Sequence, residues 1–180
     1  MLDADSGFVS ILKPYKVLIM IKSKNIFLGL DISSKSTGYA VVSNGKWKRA
    51  EKYFGLITPP EKILPGEKLT YFRKELIKVI LKTTPTHIFI EDVFGGRNIT
   101  TTKTLSRFAG VAIQSCFEIY GVEPTIINTS TVRSFLKSGQ KKEEAFSFIV
   151  SKYKLDWGFN THNDITDAIM LALYGYKITK

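Results

Sequence analysis

Two apolar runs, each closed by a carboxylate, set the architecture of this chain: Ile26-Phe27-Leu28-Gly29-Leu30-Asp31 and His87-Ile88-Phe89-Ile90-Glu91. A strand with one wet face alternates apolar and polar residues, whereas a run that is apolar throughout belongs to a strand covered on both faces. Covering both faces requires layers of helices, so the fold class is α/β. An acid at the end of such a strand is costly unless something positive lies beside it.

The remaining segments supply the layers. Ser33-Ser34-Lys35-Ser36 is a polar turn, and Thr37 to Ser43 reads as a second strand. Asn44-Gly45 is a hairpin signal, so a third strand from about Lys46 to Thr58 is expected to pair antiparallel, with Pro59-Pro60 ending it. Leu69, Phe72, Leu76, Val79 and Ile80 recur at helical spacing and predict a helix over 67–82. A strand over 86–91, a helix over 101–119 and a short strand over 125–128 follow. Two short helices, over 130–136 and 142–152, precede a last helix over 161–176. The expectation is a five-stranded mixed sheet flanked by helices. Its first three strands are antiparallel, and its last two lie parallel to the first through right-handed crossovers. The carboxyl ends of the first and fourth strands then lie side by side, where ligands gather in such sheets, and Asp31 meets Glu91. The chain has 180 residues, enough for one domain with a sizeable core. Residues 1–19 are expected to be a weakly ordered extension, with Met20 a natural start, and 20–180 a single domain.

Charge narrows the partners. Lys plus Arg number 26 against 16 for Asp plus Glu, a net charge of +10. Such a field attracts polyanions, nucleic acid first and an anionic membrane second. No polybasic amphipathic helix stands out, and no apolar run is long enough to span a bilayer, so no membrane partner is expected. Cys116 is the only cysteine, which rules out a disulfide framework or thiolate zinc site within one chain. That fits a reducing compartment, and the expected location is cytoplasmic, or host cytoplasm if the source is viral.

The last helix carries two further acids, Asp164 and Asp167, at i and i+3 and so on one face. Asp31 and Glu91 at strand ends, with Asp164 and Asp167 on a crossing helix, could share Mg²⁺ or Mn²⁺, which prefer carboxylate oxygens. Two such ions can clamp a phosphodiester, one activating water and the other stabilising the leaving 3′ oxygen, with Asp31 as the bridge. Each acid also has a local explanation. Asp31 fits a turn with Ser33 and Ser34, Glu91-Asp92 a solvated strand end, and Asp164 a helix start capped near Asn160 or Thr161. Asp167 lies deeper, and capping explains it less well. His162 fits an outer ligand, a proton shuttle or simply a helix start, and stays outside the core set.

Three motifs, in order, carry a family resemblance over about residues 25–177. They are Leu28-Gly29-Leu30-Asp31-Ile32-Ser33 with Thr37-Gly38-Tyr39-Ala40-Val41, then Ile90-Glu91-Asp92-Val93-Phe94, then Asn163-Asp164-Ile165-Thr166-Asp167-Ala168. The chain resembles the RuvC family of Holliday junction resolvases, within the RNase H-like superfamily. The resemblance implies an RNase H-like fold, a homodimer and Mg²⁺-dependent paired cleavage of four-way DNA junctions, with Asp31, Glu91, Asp164 and Asp167 as catalytic tetrad. It also implies that Phe94 wedges between bases at the junction, although a buried phenylalanine is the commoner role for such a residue. Ile32-Ser33 stands where the family has Pro-Gly, a divergence that resembles phage or mobile-element resolvases. Two basic groups are candidate DNA contacts: Arg97, Asn98, Lys103 and Arg107, and then Arg133, Lys137, Lys141 and Lys142. Lys141 and Lys142 sit at an expected helix start, where a positive charge is disfavoured and a bound anion would relieve the conflict. The functional expectation is paired hydrolysis leaving 5′-phosphates. A less selective flap or fork nuclease and a noncatalytic junction-binding protein remain as alternatives. The Asp31–Gly38 segment also loosely resembles the phosphate hairpin of actin-like ATPases, but those need two lobes and this chain supplies one.

Overall fold

The computed structural model describes residues 25–93, 98–121 and 123–180. The expected extension over 1–19 therefore lies outside the described residues, as do Phe94 and Arg97. Six strands form one sheet: β1 (Ile26–Asp31), β2 (Thr37–Ser43), β3 (Lys46–Trp47), β4 (Phe54–Ile57), β5 (His87–Glu91) and β6 (Thr125–Ile127). The helices are α1 (Pro65–Thr83), α2 (Ile99–Tyr120), α3 (Thr129–Leu136), α4 (Lys142–Tyr153) and α5 (Phe159–Ile178). β1 is central, antiparallel to β2 and parallel to β5, which is parallel to β6. This is the expected topology, with one difference.

The third strand is not continuous. β3 and β4 both pair with β2, but Val42 faces Trp47 while Ala40 faces Phe54. An unbroken strand would bring Arg49 opposite Ala40, so five extra residues are looped out, and Glu51–Tyr53 form a 3₁₀ turn. The sheet thus has six strands rather than five. The interruption places Trp47 against Phe54, Tyr153 and Trp157, with edge-to-face centroid distances of 5.1 Å and 5.4 Å to the first two.

Strand alternation decides which residues face which helices. Leu28 and Leu30 of β1, Val41 of β2 and Ile88 and Ile90 of β5 pack with Phe72, Leu76 and Ile80 of α1 and Phe108 and Ala112 of α2. Phe27, Ala40, Val42 and Phe89 point the other way, into a second core with α3, α4 and α5. Asp31 and Glu91 have the parity of this second set, so both carboxylates belong to the α5 face.

α5 is buried without a break from Ile165 to Leu173, as expected of a helix enclosed between a sheet and other helices. It lies almost in contact with the strand backbones. A Cβ on Gly29 would come 2.0 Å from the Ala168 carbonyl oxygen, and one on Gly38 would come 2.1 Å from that of Asp164. Only residues without a side chain permit this approach. Gly38 is in register with Asp31. The same glycine therefore sets Asp164 of the helix beside Asp31 of the strand.

Candidate active site

β1 and β5 run parallel with Leu30 opposite Ile90, so their next residues, Asp31 and Glu91, end the strands as neighbours. Asp31 is only 7% exposed and Asp167 3%. The turn after Asp31 is organised without it. The Thr37 hydroxyl donates to the Ser33 carbonyl at 2.9 Å, and the Ser33 hydroxyl accepts from the Lys35 amide at 3.2 Å. Asp31 is thus free of the turn-starting role that its sequence neighbours suggest. Asp164 is likewise not a cap. α5 begins at Phe159 behind Gly158, so neither Asn160 nor Thr161 is the cap and Asp164 lies beyond the first turn.

Three of the four acids, Asp31, Asp164 and Asp167, meet one lysine. Lys142 Nζ lies 3.1 Å from Asp167 Oδ2 and 3.4 Å from Asp164 Oδ1. Arg133 Nη2 lies 3.6 Å from Asp167 Oδ1, and its Nη1 donates to the Gln140 carbonyl at 3.3 Å. The Thr129 hydroxyl donates to Glu91 Oε1. Lys142 was expected to need an anion at its helix start, and the acids of α5 supply it. Glu144 turns back to accept from the amides of Gln140 and Lys141 at 2.8 Å and 3.1 Å, satisfying the same helix end.

The electrostatics follow from burial. Loss of water holds the Asp31 carboxyl well above the ordinary aspartate range. A hydrogen bond with Glu91 and the charges of Glu91 and Asp167 push it further, and Lys142 opposes them. Asp167 is also raised by burial, against the pull of Lys142 and Arg133. Burial alone would lower the Lys142 ammonium, but Asp167, Asp31 and Asp164 outweigh it and the net shift is upward. Four carboxylates against two cations leave a formal charge of −2 if all are ionised.

Among the described residues no three acids are already disposed as a cation cage. The Lys142 ammonium stands against two of them. The donor set nonetheless fits a hard divalent ion. It consists of carboxylate oxygens, carries a net negative charge, and includes Asp167 Oδ1, a buried atom with no hydrogen-bond partner.

The other expected site residues lie outside this cluster. Asn98 caps α2, its Oδ1 accepting from the amides of Thr100 and Thr101 at 3.0 Å and 3.2 Å. Lys103 and Arg107 are exposed on α2, and Lys137 and Lys141 are exposed at the ends of α3 and α4. Among the described residues none of these lysines and arginines pairs with the four acids. His162 is stacked on Trp157 at 4.8 Å, with its Nδ1 2.7 Å from the Thr161 hydroxyl. Sequence reasoning missed Thr129. Its only signal is position, just beyond the end of β6, the strand beside Glu91.

The chain is similar to known proteins in sequence and fold. Residues 27–174 match the family model described as crossover junction endodeoxyribonuclease RuvC. A protein of that name from Lawsonia intracellularis is 25% identical over 79% of this chain and 86% of its own length. Another from Dictyoglomus thermophilum is 24% identical over 84% of this chain and 97% of its own. The structure of T. thermophilus RuvC in complex with a Holliday junction substrate superposes with a TM-score of 0.73 at 17% identity, over 86% of this chain and 94% of that one. These matches are to bacterial proteins and do not speak for a phage or mobile-element source.

Proposed function

Because this chain belongs to the RuvC family of crossover junction endodeoxyribonucleases, we propose that it resolves four-way DNA junctions by paired hydrolysis of phosphodiesters, acting as a homodimer. The observation that carries the reading is the convergence of Asp31, Glu91, Asp164 and Asp167 with Lys142 and Arg133 at the carboxyl edge of the sheet. A symmetric dimer would set two such centres against two strands of like polarity, which explains paired cuts.

Asp31, Glu91, Asp164 and Asp167 would hold divalent cations, Mg²⁺ with Mn²⁺ as substitute and two per centre. Such ions supply neutralisation of phosphate charge and a lower pKa for the attacking water. The chain's own groups do the rest. Glu91 is oriented by Thr129 and Asp167 by Lys142. The Lys142 and Arg133 side chains, placed at the centre beside Asp164 and Asp167, would meet the nonbridging phosphate oxygens. Attack on phosphorus with departure of the 3′ oxygen leaves a 5′-phosphate. Arg97, Asn98, Lys103, Arg107, Lys137 and Lys141 are proposed backbone contacts, and Phe94 the unstacking side chain.

The test is strand-by-strand nicking of a mobile synthetic junction with and without Mg²⁺. Symmetric Mg²⁺-dependent nicks are expected, and Asp31→Asn should abolish them while leaving junction binding intact. Equal cutting of linear duplex would instead favour a flap or fork nuclease. Binding without nicking at any Mg²⁺ concentration would favour a noncatalytic junction-binding protein.

A further inference from the structure

A second basic site lies on the opposite face of the sheet from Arg133 and Lys142. It is a cavity of about 310 Å³ between the turn after β1, the start of α1 and the first turns of α2. Lys35, Lys68 and Arg107 line it, together with Ser34, and Leu69 and Phe108 give it an apolar wall. No acid lines it. Among the described residues none of its three cations has a carboxylate within ion-pairing distance; the pairs formed are those of Arg73, Lys78, Arg133 and Lys142. Three unneutralised cations around an apolar wall suit a ligand that is both anionic and partly apolar. A nucleotide is such a ligand, and the volume sits at the small end of ligand pockets, enough for one.

Its position says which nucleotide. Ser34 follows Asp31 by three residues, so their Cα atoms are at most about 11 Å apart. The α2 wall follows from Glu91 through the next loop. The four acids with Arg133 and Lys142 therefore lie on one face of this sheet edge and the cavity on the other. A strand laid across that edge meets both.

We propose that this cavity is a subsite for one nucleotide of the cleaved strand, next to the scissile phosphate. Lys35, Lys68 and Arg107 hold its phosphate and Leu69 and Phe108 receive its unstacked base. The assignment rests on the reading of the acid centre as a DNA-cutting site.

The test uses the full chain carrying Asp31→Asn, with four-way junctions labelled with 2-aminopurine at successive positions around the nicked bond. Fluorescence reports unstacking, and a mobility shift reports junction binding separately. One position beside the scissile phosphate should brighten on binding. Lys35→Ala/Lys68→Ala should remove that signal, weaken binding at least about tenfold, and lower the slope of log affinity against log salt by roughly one to two. Lys35→Arg/Lys68→Arg should restore all three, which a packing defect would not allow. Junction binding with no brightened position, or with brightening unchanged in Lys35→Ala/Lys68→Ala, overturns the subsite and leaves the nuclease reading standing. Absence of junction binding by the Asp31→Asn protein overturns that reading and the subsite with it.

Discussion

Replacing Lys142 by methionine tests the electrostatic account of the centre. Lys142 stands 3.1 Å and 3.4 Å from two aspartates, one of them nearly inaccessible to water. At an effective dielectric constant of about 20, a pair at that distance attracts by about 5 kcal/mol before desolvation is charged against it. Two effects reduce the net loss. The Lys142 side chain is 39% exposed, so water screens part of the attraction. The abandoned aspartate can also take up a proton, at a cost of about 1.4 kcal/mol for each pH unit above its pKa. Since burial already raises the Asp167 pKa, that escape costs less than it would for an ordinary aspartate. A net destabilisation of about 2 kcal/mol in EDTA is the outcome. For a domain of this size it lowers Tm by about 4–8 °C. Mg²⁺ should then stabilise Lys142→Met more than the parent, because the ion replaces the missing charge and no longer competes with an ammonium. Differential scanning fluorimetry in EDTA and across a Mg²⁺ titration reads both effects. Calorimetric titration with Mn²⁺ should show tighter binding to the variant. Equal Tm in EDTA together with an unchanged Mg²⁺ response would refute the view that Lys142 balances these acids.

Gly38→Ala should push α5 off β2, because the new Cβ would lie 2.1 Å from the Asp164 carbonyl oxygen. We expect a loss of about 1–3 kcal/mol by denaturant melting and about a hundredfold loss of nicking. Thr129→Val removes the hydroxyl that donates to Glu91, and should cost about tenfold in nicking rate with little change in junction affinity. Cys116 is fully buried, and burial with the nearby Glu123 charge pushes its thiol up to about 12. At pH 8 a thiol reagent should react with it only on unfolding. Asp31 and Asp167 both have carboxyl pKa values raised by folding, so the native protein binds more protons than the unfolded chain. Their contribution is fully present below the ordinary aspartate pKa and is lost as pH rises through the raised folded values. Tm in EDTA should show this decline, and saturating Mg²⁺, which favours the ionised carboxylates, should reduce it.

Much of this was legible because burial leaves a pattern. The unbroken apolar runs before Asp31 and Glu91 mark strands covered on both sides, and parallel neighbours follow from the helix between them. The broken third strand was not legible. The segment from Lys46 to Thr58 contains Trp47, Tyr53, Phe54 and Ile57, all suited to a strand, and the five-residue loop depends on how Trp47 meets Tyr153 and Trp157 over a hundred residues away. The same limit applies at the centre. The carboxylates could be named from their places at element ends, but the inward turn of Lys142 could not. At the start of α4 it reads as one of several solvent-facing lysines, and only the position of α5 gives it partners. Thr129 has the same difficulty, since it starts α3 while its partner Glu91 ends β5.

The centre also explains why α5 is so thoroughly enclosed. Asp31 and Asp167 are held where water is scarce, and burial there raises both carboxyl pKa values. A local fold could not hold them there, because a short helix on a sheet edge would shift and admit water. α5 instead spans the sheet, with Ile165, Ala168, Ile169, Leu171 and Ala172 packed in the core. Gly29 and Gly38 let it settle onto the strand backbones. The side chains that stabilise the helix are interleaved with Asp164 and Asp167, which do not. Any change that loosens α5 should therefore relax the carboxylates toward ordinary pKa values and reduce cation affinity together. Mutations along this helix should affect stability and cation binding as one correlated quantity, whereas those in the core of α1 should affect stability without changing cation affinity.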